Sequence, residues 1–282
     1  MSLASILLDP LSHGFMQRGL VAALLVAMAA ATLSCFLVLR GWALMGDAIS
    51  HAVLPGIVAA HVLAMPLTLG AFLAGLFCAF SAGYLRAKSR VREDAMMAIV
   101  FSGMFALGLV LFLKIDTDQH LTHILFGNML GLSWRDVGEI ALIALPTVLI
   151  VLAKRRDFVL AGFDPAHARA IGLSIARLDG FLLTLLALSI VAAMKAVGVV
   201  LVIAMLIAPG AIGVLLTHRF DRMLAIAISA AMASSLVGLY VSFYIDAATG
   251  PTIVVLQSLI VVAAVAWRVV RNARASPLRN AG

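Results

Sequence analysis

The stretch 16-MQRGLVAALLVAMAAATLSCFLVL-39 holds 24 residues and a single charge, Arg18. As a helix it would span about 36 Å, enough for a bilayer core of about 30 Å. Comparable runs recur at about 42–63, 67–85, 95–113, 137–153, 179–196, 198–216, 223–245 and 252–268. The chain is 64% hydrophobic and only 12% charged, whereas soluble domains carry about 25% charged residues. The apolar runs are continuous rather than alternating, which excludes a membrane β-barrel. The expectation is an all-α polytopic membrane protein, a single transmembrane domain over residues 1–282 with about nine helices. The count falls to eight if the break at 195-KAVG-198 lies inside one span. The first residues, MSLASILLDPLSHG, lack a basic n-region and read as a short interfacial segment. Cys35 and Cys78 lie in apolar runs and read as packing residues.

The breaks between runs are chemical: Arg40-Gly41, Pro66, 86-RAKSRVRED-94, the polar loop about 114–136, the long segment about 154–178, 217-THRFDR-222 and 246-DAATGP-251. The net charge of +7 could suggest nucleic acid, but in a membrane protein positives mark the cytoplasmic loops. With 86–94 inside, sixteen of the twenty basic residues gather on one side. Arg18, Lys114, Arg135 and Lys195 remain on the other. This predicts an outer N-terminus and a cytoplasmic C-terminus. Trp42, Trp134 and Trp267 fall near span ends, as interfacial anchors do. Small residues at four-residue spacing, Ala71, Gly75 and Ala79, predict a helix contact.

Of thirteen acidic residues, only Asp47 falls well inside an apolar span, within 46-GDAISHAVLPG-56. A carboxylate at a span centre costs about 2.5–3.5 kcal/mol on insertion scales and marks function by default. His51 follows at i+4, so both side chains share one helix face. Carboxylate plus imidazole suits a divalent cation such as manganese, iron or zinc. Pro55 deprives the His51 carbonyl of its helical partner, leaving that carbonyl free for a third ligand or a water. Two other readings compete: an Asp–His hydrogen bond that fastens helices, and a proton relay. Counted from Trp42, Asp47 is only about 8 Å deep, so a midplane site requires this helix to begin within a cavity.

On the cytoplasmic side, 163-FDPAHARAIGL-173 has the grammar of a short helix. Asp164 can cap it, Pro165 suits its first position, and Gly172 can end it. Its face carries Ala166, Ala170 and Ile171, small and apolar enough to enter a groove. An amphipathic helix on the lipid surface is the competing reading. The outer loop holds Asp116, Asp118, His120 and His123, which read as solvated loop residues rather than ligands. Leu125, Phe126 and Gly127 suggest a re-entrant or gating turn. Pro209-Gly210 interrupts a span, as a bend around a pathway or as a packing device.

The run 41-GWALMGDAISHAVLPGIVAAH-61 resembles the signature of the integral-membrane permeases of zinc/manganese/iron ABC importers. The resemblance continues through 93-EDAMMAIVFSGMFALGLVL-111, 119-QHLTHILFGNMLGLSW-134, 163-FDPAHARAIGL-173, 195-KAVGVVLVIAMLIAPGAIGVLL-216 and 250-GPTIVV-255. It covers about residues 16–267 and is nearest the manganese and chelated-iron branch. It implies a permease of the bacterial inner membrane that dimerises, with a second copy or a paralogue, around a central pathway. It also implies two cytoplasmic ATPase subunits and an extracytoplasmic protein that delivers the metal. Asp47 and His51 stand where the family binds metal in the pathway, and the helix bounded by Asp164, Pro165 and Gly172 where it docks on the ATPase. No cofactor is expected to be held permanently; manganese, iron or zinc is the cargo. The chain has no GxxxxGK[ST] phosphate loop, so an ATP-driven process needs a separate ATPase. The main alternative is a secondary transporter coupled to protons or sodium, but neither an internal repeat nor a second deep acid is visible. An intramembrane metalloprotease would need a general base beside its metal pair, and DAISH supplies none.

Overall fold

The computed structural model describes residues 9–88, 93–114 and 129–275. These form ten α-helices and one short 3-10 turn, Met129–Gly131. The helices are α1 (Gly14–Leu39), α2 (Ala43–Val62), α3 (Leu67–Lys88), α4 (Glu93–Lys114), α5 (Trp134–Ala153), α6 (Arg155–Phe163), α7 (Pro165–Ala170), α8 (Ile175–Leu216), α9 (Phe220–Ile245) and α10 (Thr249–Ala275). Eight of them are long and apolar enough to cross a membrane.

Helix α8 is not one continuous rod. At Gly198 the backbone turns to φ 74° and ψ 167°, a region open almost only to glycine. Were α8 straight, Leu206 would lie about 24 Å from Ile190. Instead Val202 and Leu206 line the same small cavity as Ser189 and Ile190. The chain therefore doubles back at Gly198, and the arm after it, which includes Leu201–Leu216, returns along the first. Ser34 of α1 fastens the returning arm: its hydroxyl donates to the Ile207 carbonyl at 3.3 Å and accepts from the Gly210 N–H at 2.9 Å. Pro209-Gly210 thus serves packing rather than an open bend. The expected break at 195-KAVG-198 separates two arms of α8; among the described residues eight helices are long enough to cross, and the returning arm, Leu201–Leu216, is shorter.

Helix boundaries follow local chemistry. Ser133 and Asp136 form a capping box, which starts α5 at Trp134, three residues before the expected 137. Asp246 ends α9 in a left-handed conformation. The segment 154–178, for which the sequence predicts one short helix near 163–173, contains two, α6 and α7.

The centre of the bundle is α1 with both arms of α8. The residues Ala22, Ala23, Ala27, Ala31, Leu33, Leu186 and Ile190 are fully buried there. Alanines let these helices lie close, which matters in lipid, where packing rather than water exclusion holds helices together. The same logic joins α2 to α3. A Cβ added to Gly56 would overlap the Gly70 carbonyl oxygen, and one added to Gly70 would overlap the Gly56 carbonyl. On the same interface Ala71 and Ala79 are buried, as their spacing predicts. By contrast, α4 and α10 present long apolar faces outward, including Ile99, Leu107, Val110, Leu259 and Val262.

Candidate functional site

The site is built on α2, and its depth follows from what α2 touches. Ile49 and Ala187 both lie against Gly75 of α3. Ala187 is midway along the first arm of α8 (175–197). Asp47 and His51 flank Ile49, so they sit at mid-height in the bundle. The N-cap of this helix, Trp42, is buried. Below it opens a cleft of about 770 Å³, lined by Trp42, Met45, Tyr84, Arg169, Ser174 and Asp179 among others. Trp42 is thus not the interfacial anchor its position suggested, whereas Trp134 and Trp267 are exposed.

His51 Nε2 lies 3.2 Å from Asp47 Oδ1. Both side chains are about 30% exposed, at 31% and 29% respectively. With Leu44, which is exposed, they form one stripe along α2 at i, i+3 and i+7. The wall beside them is aromatic and comes from α4. Phe101 stacks on the His51 ring at 6.1 Å between centroids, and Phe105 meets it edge-on at 5.4 Å. These contacts fix the ring plane while leaving its edge toward Asp47 and the open side. Sequence reasoning placed both polar residues on one face but did not find the two phenylalanines. Their spacing of four on an apolar helix reads like ordinary packing.

Pro55 is buried, and Gly108 of α4 comes so close that a Cβ there would stand 2.7 Å from the Pro55 nitrogen. The proline therefore also sets the contact between α2 and α4. Among the described residues, no group of three His, Cys, Asp or Glu side chains is assembled to hold a metal. A cation at Asp47 and His51 would complete its shell from water, a backbone carbonyl or another chain. The outer-loop residues Asp116, Asp118, His120, His123, Leu125, Phe126 and Gly127 lie outside the described residues.

The segment 155–174 forms a second feature at the end of the bundle that carries the basic loops. Asp164 Oδ1 accepts from the His167 N–H at 2.9 Å, and Pro165 is the first helical residue. Gly172 has φ 88°, with Gly172 N–H bonded to the Arg169 carbonyl and Leu173 N–H to the Ala168 carbonyl, both at 3.0 Å. That pair of bonds is a Schellman stop. Ala168 is buried and holds α7 down, while Ala166, Ala170, Ile171 and Phe163 face outward.

At the opposite end Lys195 donates to Glu139 Oε2 at 2.9 Å and lies 3.7 Å from Asp136 Oδ1. Lys195 thus pairs with the start of α5 beside the Gly198 turn.

Known proteins carry the same architecture. The model of the ABC 3 transport family matches residues 12–268. A chelated iron transport system membrane protein of Yersinia pestis, YfeD, is 54% identical over 99% of this chain and 95% of its own. A manganese transport system membrane protein of Synechocystis sp., MntB, is 45% identical over 92% of this chain and 84% of its own. The solved structure of PsaBC from Streptococcus pneumoniae in complex with Fab superposes with a TM-score of 0.84 at 30% identity, covering 93% of this chain and 95% of that one. A bundle with eight membrane-length helices among its described residues, matching this family model nearly end to end, leaves one assignment: the chain belongs to the ABC 3 transport family and is a multi-pass protein of the bacterial cytoplasmic membrane.

Proposed function

We propose that this chain is the permease subunit of an ATP-driven importer that carries a divalent transition metal, manganese or iron and with less support zinc, into the cytoplasm. The observation that carries the proposal is the Asp47–His51 pair: two ligands 3.2 Å apart, at mid-height, half-open, in a chain otherwise poor in buried charge. Carboxylate and imidazole match the cation class named for the relatives, chelated iron and manganese. Two protein ligands replace only part of a hydration shell. A dication is then drawn in and still able to leave, which a closed cage of protein ligands would prevent.

The remaining roles follow from the ends of the bundle. The basic end faces the cytoplasm by the positive-inside rule, which puts the N-terminus outside and the C-terminus inside. There α7, capped by Asp164 and Pro165 and stopped by Gly172, offers Ala166 and Ala170 to a groove on a separate ATPase. The opposite end receives the metal from an extracytoplasmic binding protein. A second permease copy or paralogue closes the open side of Asp47 and His51, so that the pathway runs between the two.

The test is metal uptake by proteoliposomes holding the permease, its ATPase and the binding protein. Uptake of manganese or iron should require ATP, survive an uncoupler, and vanish with a non-hydrolysing ATPase. Uptake that ignores ATP and collapses with the proton gradient would overturn the proposal in favour of secondary transport.

A further inference from the structure

One cation in the bundle is not accounted for by topology. Arg40 falls in the short turn between α1 and α2, where an exposed basic residue would satisfy the charge rule. Its side chain is instead only 7% exposed. The guanidinium pairs with Asp179 at the start of α8, and its Nη2 donates to the Phe158 carbonyl of α6 at 3.1 Å. Its Cζ stands 5.1 Å from the centroid of the Trp42 ring, at the N-cap of α2. Gly162, also of α6, packs against its stem. A single planar group thus touches α6, α8 and α2 while belonging to the end of α1.

The surroundings make this contact matter. Trp42, Met45, Arg169, Leu173 and Ser174 all line the inner cleft. Arg40 bridges beside it, from the backbone of α6 to the indole that opens α2. Five residues beyond Trp42 is Asp47. On α6 itself, the Phe158 ring packs edge-on against Phe36 of α1 at 5.7 Å.

We propose that Arg40 is a positioning residue that transmits motion from the 155–170 segment to the metal-site helix, acting as a strut between the Phe158 carbonyl and Trp42. The inference rests on the proposed ATP coupling through α7. Displacement of α6 by a docked ATPase shifts the Phe158 carbonyl, the guanidinium follows to keep its hydrogen bond and its ion pair, and the stacked indole tilts the start of α2. A buried cation must keep its partners, because leaving it unpaired costs far more than moving it. Lysine cannot substitute, since it lacks the planar fork and the stacking face.

The experiment uses the permease–ATPase complex with its binding protein in proteoliposomes, reading manganese uptake and ATP hydrolysis together. Arg40→Lys keeps the charge, and Trp42→Leu keeps the ion pair while removing the stack. In both, metal carried per ATP should fall roughly tenfold while hydrolysis stays within about twofold, the size of effect seen along coupled networks. Should Arg40→Lys fail to assemble, Trp42→Leu alone decides, because its ion pair is untouched. Wild-type transport per ATP in Trp42→Leu overturns the strut. Asp47→Ala, run in parallel, separates the two claims: if it alone abolishes uptake, the strut is wrong and the transport reading stands. If Asp47→Ala also transports normally, the transport reading itself fails.

Discussion

At the scale of the residue, the chemistry concentrates on Asp47 and His51. Their separation of 3.2 Å allows one ion to touch both, and Phe101 and Phe105 hold the imidazole in place. In the proposed transport reading, replacing either residue removes a direct bond to the cargo. Losing even an outer-shell partner of a metal ligand costs about 10–100-fold in affinity, so Asp47→Ala or His51→Ala should depress uptake by at least that much. The variants should still fold and bind the ATPase, which co-purification checks. Wild-type uptake in either would reject the ligand assignment. Phe105→Ala should act more weakly, raising the metal concentration needed for half-maximal uptake while leaving maximal uptake near normal, because it frees the ring without removing a ligand.

Helices and turns obey a different economy, set by backbone distance. Gly198 adopts φ 74°, and a side chain there is strained by about 1–3 kcal/mol. Gly198→Ala should therefore lower the thermal unfolding temperature in detergent, and Gly198→Val lower it further. The Gly56–Gly70 crossing is stricter, since each Cβ would overlap a backbone oxygen. Gly70→Val should separate α2 from α3 and reduce the yield of folded protein. Lys195 gives the opposite expectation. It is 42% exposed, and its partner Glu139 is 45% exposed, so water screens the pair and it contributes about 0–1 kcal/mol. Lys195→Met should change thermal stability little, and a large loss would show that the turn at Gly198 depends on that ion pair.

For the molecule as a whole, the question is what meets its uncovered faces. The Ala166 and Ala170 face is small, outward and rigidly capped at both ends. Ala170→Asp places a charge where an apolar groove is proposed, so ATPase co-purification and hydrolysis-driven uptake should both drop by roughly tenfold or more, as when a charge is buried unpaired in an interface. Retained coupling would show that docking lies elsewhere on 155–174.

The residues themselves settled the class of protein and most of its plan. Apolar runs long enough for a bilayer required helices, because backbone groups in lipid must be satisfied within their own segment. Spacing of four put Asp47 and His51 on one face, and Asp164, Pro165 and Gly172 announced their helix through local hydrogen bonding that needs no distant partner. Those signals are short-range, so they can be read in one dimension. Depth, burial and pairing are not. That α2 begins above an open cleft, that Gly198 reverses the chain instead of bending it, that Arg40 and Trp42 are buried together, and that two phenylalanines of α4 frame His51 all depend on contacts between residues far apart in the chain. Those contacts exist only once the helices have packed, because a residue's depth is a property of its neighbours rather than of its own span.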